Sequence, residues 1–475
     1  SRRQKRLDPR HDFGARVGDE LFVFDESGRH LETRDALRGA PLLSFTYDPN
    51  GHLAAVTDLD GRTTSVQRTG DAPQSIVGPF GHTTTLTVDP VEGYLETIAN
   101  PLGESYFASY APGGLMTSFR DPKQQTKTYA FDADGLLTDA LAPPATQGSK
   151  TFVRQDHTAD HGRTVTMTTA QGRITLYDFT KDDNRDEIWT TTTPDDLSVV
   201  EQRNNDYTEV TSHPDGTVVT VERGPDPRFG MRSPVPSLVK LETGGKTLTM
   251  TSSRQTSLVD PTDPAVVATH AETVSINGRT STSVLNRTGN VDTLTQTSAA
   301  GRVTVTELDS QGRPTRVEMA GPLGLAPVLI GYDDGSVNPN HRGLVTSIQH
   351  GETPSQRLYA FSYDADGNLQ AMDGPLGTHV GYEYDLSTRL RKKTFNDGEN
   401  VRLGYDDNGN LDLLAQPGAP AAYSLWDVHQ FSHEPRDMTA SYVAPDIGLP
   451  NHTTSWLYSP DGELELTSRP DGQPI

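Results

Sequence analysis

Apolar and aromatic residues along the chain alternate with polar ones over stretches of six or seven residues, and Asp, Asn, Gly and Pro punctuate those stretches at short intervals. Leu43, Phe45 and Tyr47 fall on one face, as do Tyr359, Phe361 and Tyr363, and Val401, Leu403 and Tyr405. A period of two is that of a β-strand. At ~3.3 Å per residue the stretches predict strands of roughly 20 Å. No long amphipathic helix is predicted.

The pattern repeats. Tyr363-Asp364, Tyr384-Asp385, Tyr405-Asp406 and Trp426-Asp427 follow one another at 21-residue steps. Val88-Asp89, Tyr110 and Phe131-Asp132 keep nearly the same step, and earlier units begin at Phe24-Asp25 and Tyr47-Asp48. Self-similarity of this kind signals a repeat architecture. Each unit reads aromatic-Asp-x-x-Gly-x-Leu, as in Tyr47, Asp48, Gly51, Leu53; Phe131, Asp132, Gly135, Leu137; Tyr363, Asp364, Gly367, Leu369; and Tyr405, Asp406, Gly409, Leu411. The Asp offers its carboxylate to backbone N–H groups two residues on, and the Gly supplies the positive φ of a tight hairpin. About ten residues later comes a second turn signal, such as Asp58-Leu59-Asp60-Gly61, Asn100-Pro101-Leu102-Gly103, Asp121-Pro122 or Gly374-Pro375-Leu376-Gly377. Two turns per unit give two strands per unit. Hairpins too small to stand alone pair edge to edge, so the chain predicts one long antiparallel sheet.

Regularity divides the chain into a lead-in (1–20), a first run (21–140), a divergent Thr-rich region (141–300) and a second run (301–475). Strand and turn chemistry persists in the divergent region, for example at Thr164 to Thr168, His213 to Thr220 and Lys246 to Met250. The Pro-rich segment 224–236 reads as a long connection or a seam between two runs of sheet.

The repeated Tyr-Asp-x-x-Gly-x-Leu unit with its Asp-Pro-x-Gly partner turn resembles the YD repeats of Rhs and wall-associated proteins, a family that includes the C components of insecticidal Tc toxins and the teneurins. The likeness is densest over 20–137 and 301–470, and Asp226-Pro227-Arg228-Phe229-Gly230-Met231 resembles a segment of bacterial Rhs proteins. The resemblance implies an all-β fold, a spiralling antiparallel sheet of hairpins forming part of a hollow shell. In the toxin branches such a shell holds a cleaved C-terminal toxic polypeptide, so the implied partners are that cargo, further shell segments and a delivery apparatus. The implied location is secreted or on the surface of a bacterial cell. The self-cleavage motif and toxin domain are not in this sequence, and the expectation is an interior piece of a longer chain.

Composition agrees with a sheet wetted on one face. Apolar residues other than Gly make up 33% of the 475 residues, and 16 Tyr with 14 Phe argue against disorder. A net charge of −23 disfavours nucleic acid as a partner. The basic stretch Arg2 to Arg6 carries no assigned role. With no Cys there are no disulfides or thiolate sites, and no apolar run approaches the roughly 18 residues of a membrane helix.

Candidate chemistry is sparse. Asp132-Ala133-Asp134-Gly135 and Asp364-Ala365-Asp366-Gly367 put oxygen ligands on tight loops, but an EF-hand places Gly sixth and Glu twelfth, whereas here Gly is fourth and the twelfth residue from Asp364 is Pro375. His157 and His161, four apart beside Asp156, suit zinc only on a helix, and none is predicted there. No Gly-x-Ser-x-Gly elbow, phosphate loop or dinucleotide fingerprint occurs. No catalytic residue, metal or cofactor is expected. A surface adhesin is the alternative reading, with Trp189, Trp426 and Trp456 as its candidate aromatics, and a polysaccharide-active enzyme a more remote one.

Overall fold

The computed structural model describes residues 12–15, 20–144, 147–158, 161–288, 291–321, 325–335, 339–352, 356–419, 428–445 and 452–471. Trp426-Asp427 and Arg2 to Arg6 lie outside the described residues. Among those described, 39 strands form a single sheet. Each strand pairs antiparallel with its predecessor and successor in the chain, from Asp12–Ala15 against Glu20–Phe24 to Thr453–Tyr458 against Leu464–Ser468. Among the described residues helix is confined to two single 3-10 turns, Pro339–His341 and Pro375–Gly377. No helix of the described residues is long and apolar enough to cross a membrane.

The sheet is one layer thick. Its accessible surface is 27790 Å², whereas a compact globule of this mass would expose about 17,000 Å². Most strand residues are accordingly half-buried, packed sideways on neighbouring strands with no second layer above them. The exceptions are a small buried cluster of Leu21, Ala36 and Ala265, with Phe229 and Val266 against it, and scattered buried residues such as Val267, Val380 and Ala415.

Segment 224–236 departs from the sequence reading. It is not a connection but part of two long strands, Val218–Asp226 and Gly230–Thr243, joined by the turn at 227–229. The first half of Gly230–Thr243 has a partner on one side only, because pairing with Lys246–Leu258 begins at Leu238. Pro234 and Pro236 lack an N–H, and at this half-open edge none is needed. The turn between the two long strands brings Arg228, and the connection between Lys246–Leu258 and Val267–Ile276 brings Ala265, to the first strands of the chain, where the Arg228 guanidinium donates to the Ala36 carbonyl and the Val267 N–H donates to the Leu37 carbonyl at 3.2 Å.

Candidate functional site: the repeat turn and the seam it builds

The sequence motif forms one recurrent structure. The carboxylates of Asp25, Asp48, Asp132, Asp364, Asp385 and Asp406 each accept the backbone N–H groups two and four residues on, at 2.9 to 3.0 Å. The two-residue contact is the one the Asp suggests, and the four-residue contact closes the loop. Gly51, Gly135, Gly367 and Gly409 all have positive φ, and in the Tyr384 unit Thr388 takes that conformation at φ 63°. The closing residues Leu53, Leu137, Leu369 and Leu411 open the next strand and pair with Tyr47, Phe131, Tyr363 and Tyr405; Leu390 does the same with Tyr384. Phe24 pairs with His30 and lies 5.0 Å from its ring.

At each of these pairs the register shifts by a bulge, which takes a residue out of the ladder. The aromatic residue of the next unit answers it. Tyr47 donates its phenol O–H to the carbonyl of His30 at 2.7 Å, Tyr110 to Leu95, Tyr332 to Pro314, Tyr363 to Val345, Tyr405 to Leu390 and Tyr458 to Thr439, all within 2.9 Å. In every case the acceptor is the first residue of the strand after the preceding turn. The Tyr thus locks one unit onto the one before. Where the sixth motif residue is Arg, it pairs with its own Asp and lies over the next Tyr: Arg29 over Tyr47 at 5.6 Å, Arg313 over Tyr332 at 4.3 Å and Arg389 over Tyr405 at 5.1 Å.

The turns also meet each other. Hydrogen bonds join residues 249 to 314 apart in the chain, so the sheet comes round and one lap of the spiral lies against the next. The motif turns of the second run dock on the partner turns of the first. Gln311 donates to the Leu59 carbonyl and Arg313 reaches Asp60; Asn340 donates to the Pro79 carbonyl; Arg389 meets Glu104 at 3.0 Å. Further along, Asn408 donates to Asp121 at 2.9 Å and Lys123 to Asp406 at 3.0 Å, while Asp461 accepts from Thr169 at 2.6 Å. Gly367 serves both purposes, since a Cβ there would strike the Phe80 ring of the opposite lap.

Electrostatics follow the same contacts. Burial alone would raise Asp309, Asp385 and Asp406, but hydrogen bonds from Arg313, Arg389 and Lys123 outweigh it and hold these carboxyls below the usual range. Asp60 is pushed up, by burial first and also by Asp58 and Asp334.

The other sequence candidates sit elsewhere. His157 lies 2.8 Å from the Thr164 hydroxyl, and His161 has φ 50° in a turn, so the two do not share a helical face. Trp189 packs on Phe179 at 4.4 Å. Trp456 lines a shallow concavity of about 650 Å³ with Leu414, His429, Phe431, Tyr442 and Tyr458. Among the described residues no group of three or more His, Asp or Glu is placed to hold a metal ion.

A family model described as Teneurin YD-shell matches residues 16–433. The chain belongs to the teneurin YD-shell family. Teneurin-1 of Gallus gallus is 23% identical over 478 residues, covering 96% of this YD-shell chain and 16% of the teneurin. Teneurin-3 of Mus musculus is 29% identical over 126 residues, 26% of this chain and 5% of its own length. The YD-shell chain thus spans about a sixth of the first of these relatives. Among solved structures, the crystal structure of TcdB2-TccC3-Cdc42 aligns with 96% of the chain and 26% of its own at a TM-score of 0.48 and 13% identity.

Proposed function

We propose that this chain is a stretch of the wall of a secreted or cell-surface bacterial shell that encloses a polypeptide cargo, a C-terminal toxic effector in the parent protein. The observation that carries the reading is the seam: a one-layer sheet that comes round and closes turn against turn makes a wall with few strand edges. Its work is mechanical, to hold a boundary around a chain that must stay apart from its surroundings. The net charge of −23 favours a basic cargo. No catalytic step is assigned, because the carboxylates that converge at the seam are held by Arg and Lys. Further shell segments and a delivery apparatus belong to the same proposal. Cryo-EM of the full-length parent tests it. Density for a protease-resistant polypeptide inside a curved wall is expected, and a filled core without a lumen would overturn the shell. Cargo release that ignores salt would remove the electrostatic part.

A second reading, an adhesive surface, draws support from the concavity around Trp456. Rings with one apolar face and one wet end suit a sugar or a partner protein. Glycan-array binding abolished by Trp456→Ala would favour it.

A further inference from the structure

The two laps are joined differently from the strands within a lap. Among the described residues no strand ladder crosses the seam; beside the neutral contacts of Gln311, Asn340 and Phe80, what crosses it is charge, whose sense reverses part-way along. Arg313 of the second lap lies 3.4 Å from Asp60 of the first, with Asp309 and Asp334 of its own lap also on it. Asp58 and Arg62 flank Asp60 from its own turn. Arg389 next reaches Glu104, with Asp385 at 2.7 Å behind it. Then the polarity reverses. Lys123 of the first lap stands 3.0 Å from Asp406 and 3.4 Å from Asp437 of the second, with Asp121, Asp412 and His433 around them. Arg173 of the first lap faces Asp461 and Glu463, with Asp195 the remaining acid near it.

We propose that this seam is an ionic clasp, so that acid or high salt parts the two laps while the hairpins of each lap stay folded. Backbone ladders carry no net charge and survive both treatments. The clasp survives neither, since protonation removes the carboxylate partner. Screening shortens the reach of charge from ~8 Å at physiological ionic strength to ~3 Å at 1 M salt. All these groups are partly open to water. The order of loss follows from the site. Asp60, raised by burial, is neutralised before Asp406 as pH falls. Asp309 and Asp385 are held below the ordinary range by Arg313 and Arg389 of their own turns, whereas Asp406 is held down by Lys123 across the seam. Its folded value lies below its unfolded one, so it favours the closed seam above the ordinary carboxylate range, and that favour is lost as pH drops through the lowered value. Full opening therefore lies below about pH 4, near the unfolded carboxylate range. The device holds whether or not the lumen contains cargo.

The chain has no Cys, so T126C and D407C give two unique labelling positions on opposite sides of the Lys123 contact, at exposed residues outside it. Donor–acceptor transfer is expected to be high at pH 7 in low salt and to fall at least twofold by pH 3.5, or in 2 M salt at pH 7, with the strand circular dichroism unchanged. Transfer that falls only together with the strand signal, or does not fall, overturns the clasp. R313Q with R389Q should move the opening to higher pH and lower salt. K123Q carries the same expectation if the double variant does not fold.

Discussion

Replacing Tyr405 by Phe isolates the contact that locks one repeat to the next. The phenol donates to the Leu390 carbonyl at 2.9 Å, and the Arg389 guanidinium lies 5.1 Å from the ring centroid. Phe keeps the ring, its packing and its cation–π partner, and removes only the donor. A hydrogen bond of this kind contributes about 1 kcal/mol, and the abandoned carbonyl sits beside a bulge, outside the ladder with Asn400–Tyr405, which reaches only to Lys392. Tyr405→Ala also removes a half-buried ring. A fully buried one would make the change cost about 3–5 kcal/mol, so about 2 kcal/mol is expected here, and the same for Tyr384→Ala. In a sheet built from nearest-neighbour contacts the loss stays local. Native-state hydrogen exchange reads it directly. For Tyr405→Phe, amides of Leu390–Phe395 and Asn400–Tyr405 should exchange about fivefold faster, the equivalent of 1 kcal/mol, while Arg163–Thr169 is unaffected. Unchanged exchange near Tyr405, or equal acceleration throughout the sheet, would refute the idea that the phenol couples adjacent repeats.

Two further changes test the turn. Thr388 holds a left-handed conformation at φ 63°, where its unit lacks the motif Gly; Thr388→Gly should stabilise this hairpin by about 0.5–1 kcal/mol net of the flexibility Gly adds to the unfolded chain, seen as slower local exchange. Asp132→Ala removes the acceptor of two backbone N–H groups on an exposed turn and should cost about 1–2 kcal/mol, whereas Asp385→Ala should cost more because Arg389 also loses a partner; equal losses in urea unfolding would argue against the Arg389 contribution.

The local grammar of the fold was legible because strand period, Asp and Gly all act within seven residues. Tyr47, Asp48, Gly51 and Leu53 each occupy a place in the turn that their own chemistry suggests. The phenol contacts were not legible: they span 15 to 19 residues, and an aromatic at a strand position reads as packing. A trace did exist, in the coincidence of Tyr at the first motif position with Arg at the sixth of the preceding unit, as in Arg389 and Tyr405. The seam left even less, since nothing near Glu104 points to Arg389, 285 residues away. Pro234 and Pro236 misled for a definable reason. Proline rules out a strand paired on both sides, and theirs is paired on one.

The pairing of every strand with its immediate neighbours in the chain also bears on assembly. Each hairpin finds its partner a few residues away, so the ribbon is able to lengthen strand by strand in the order of synthesis, without a search for distant contacts. Closing a flexible loop costs free energy only as about (3/2)RT ln n, and a stiff curved ribbon lowers that cost further. The last event is then the arrival of Asp309 and its successors beside turns made some 250 residues earlier, a meeting arranged by the curvature of the ribbon already built.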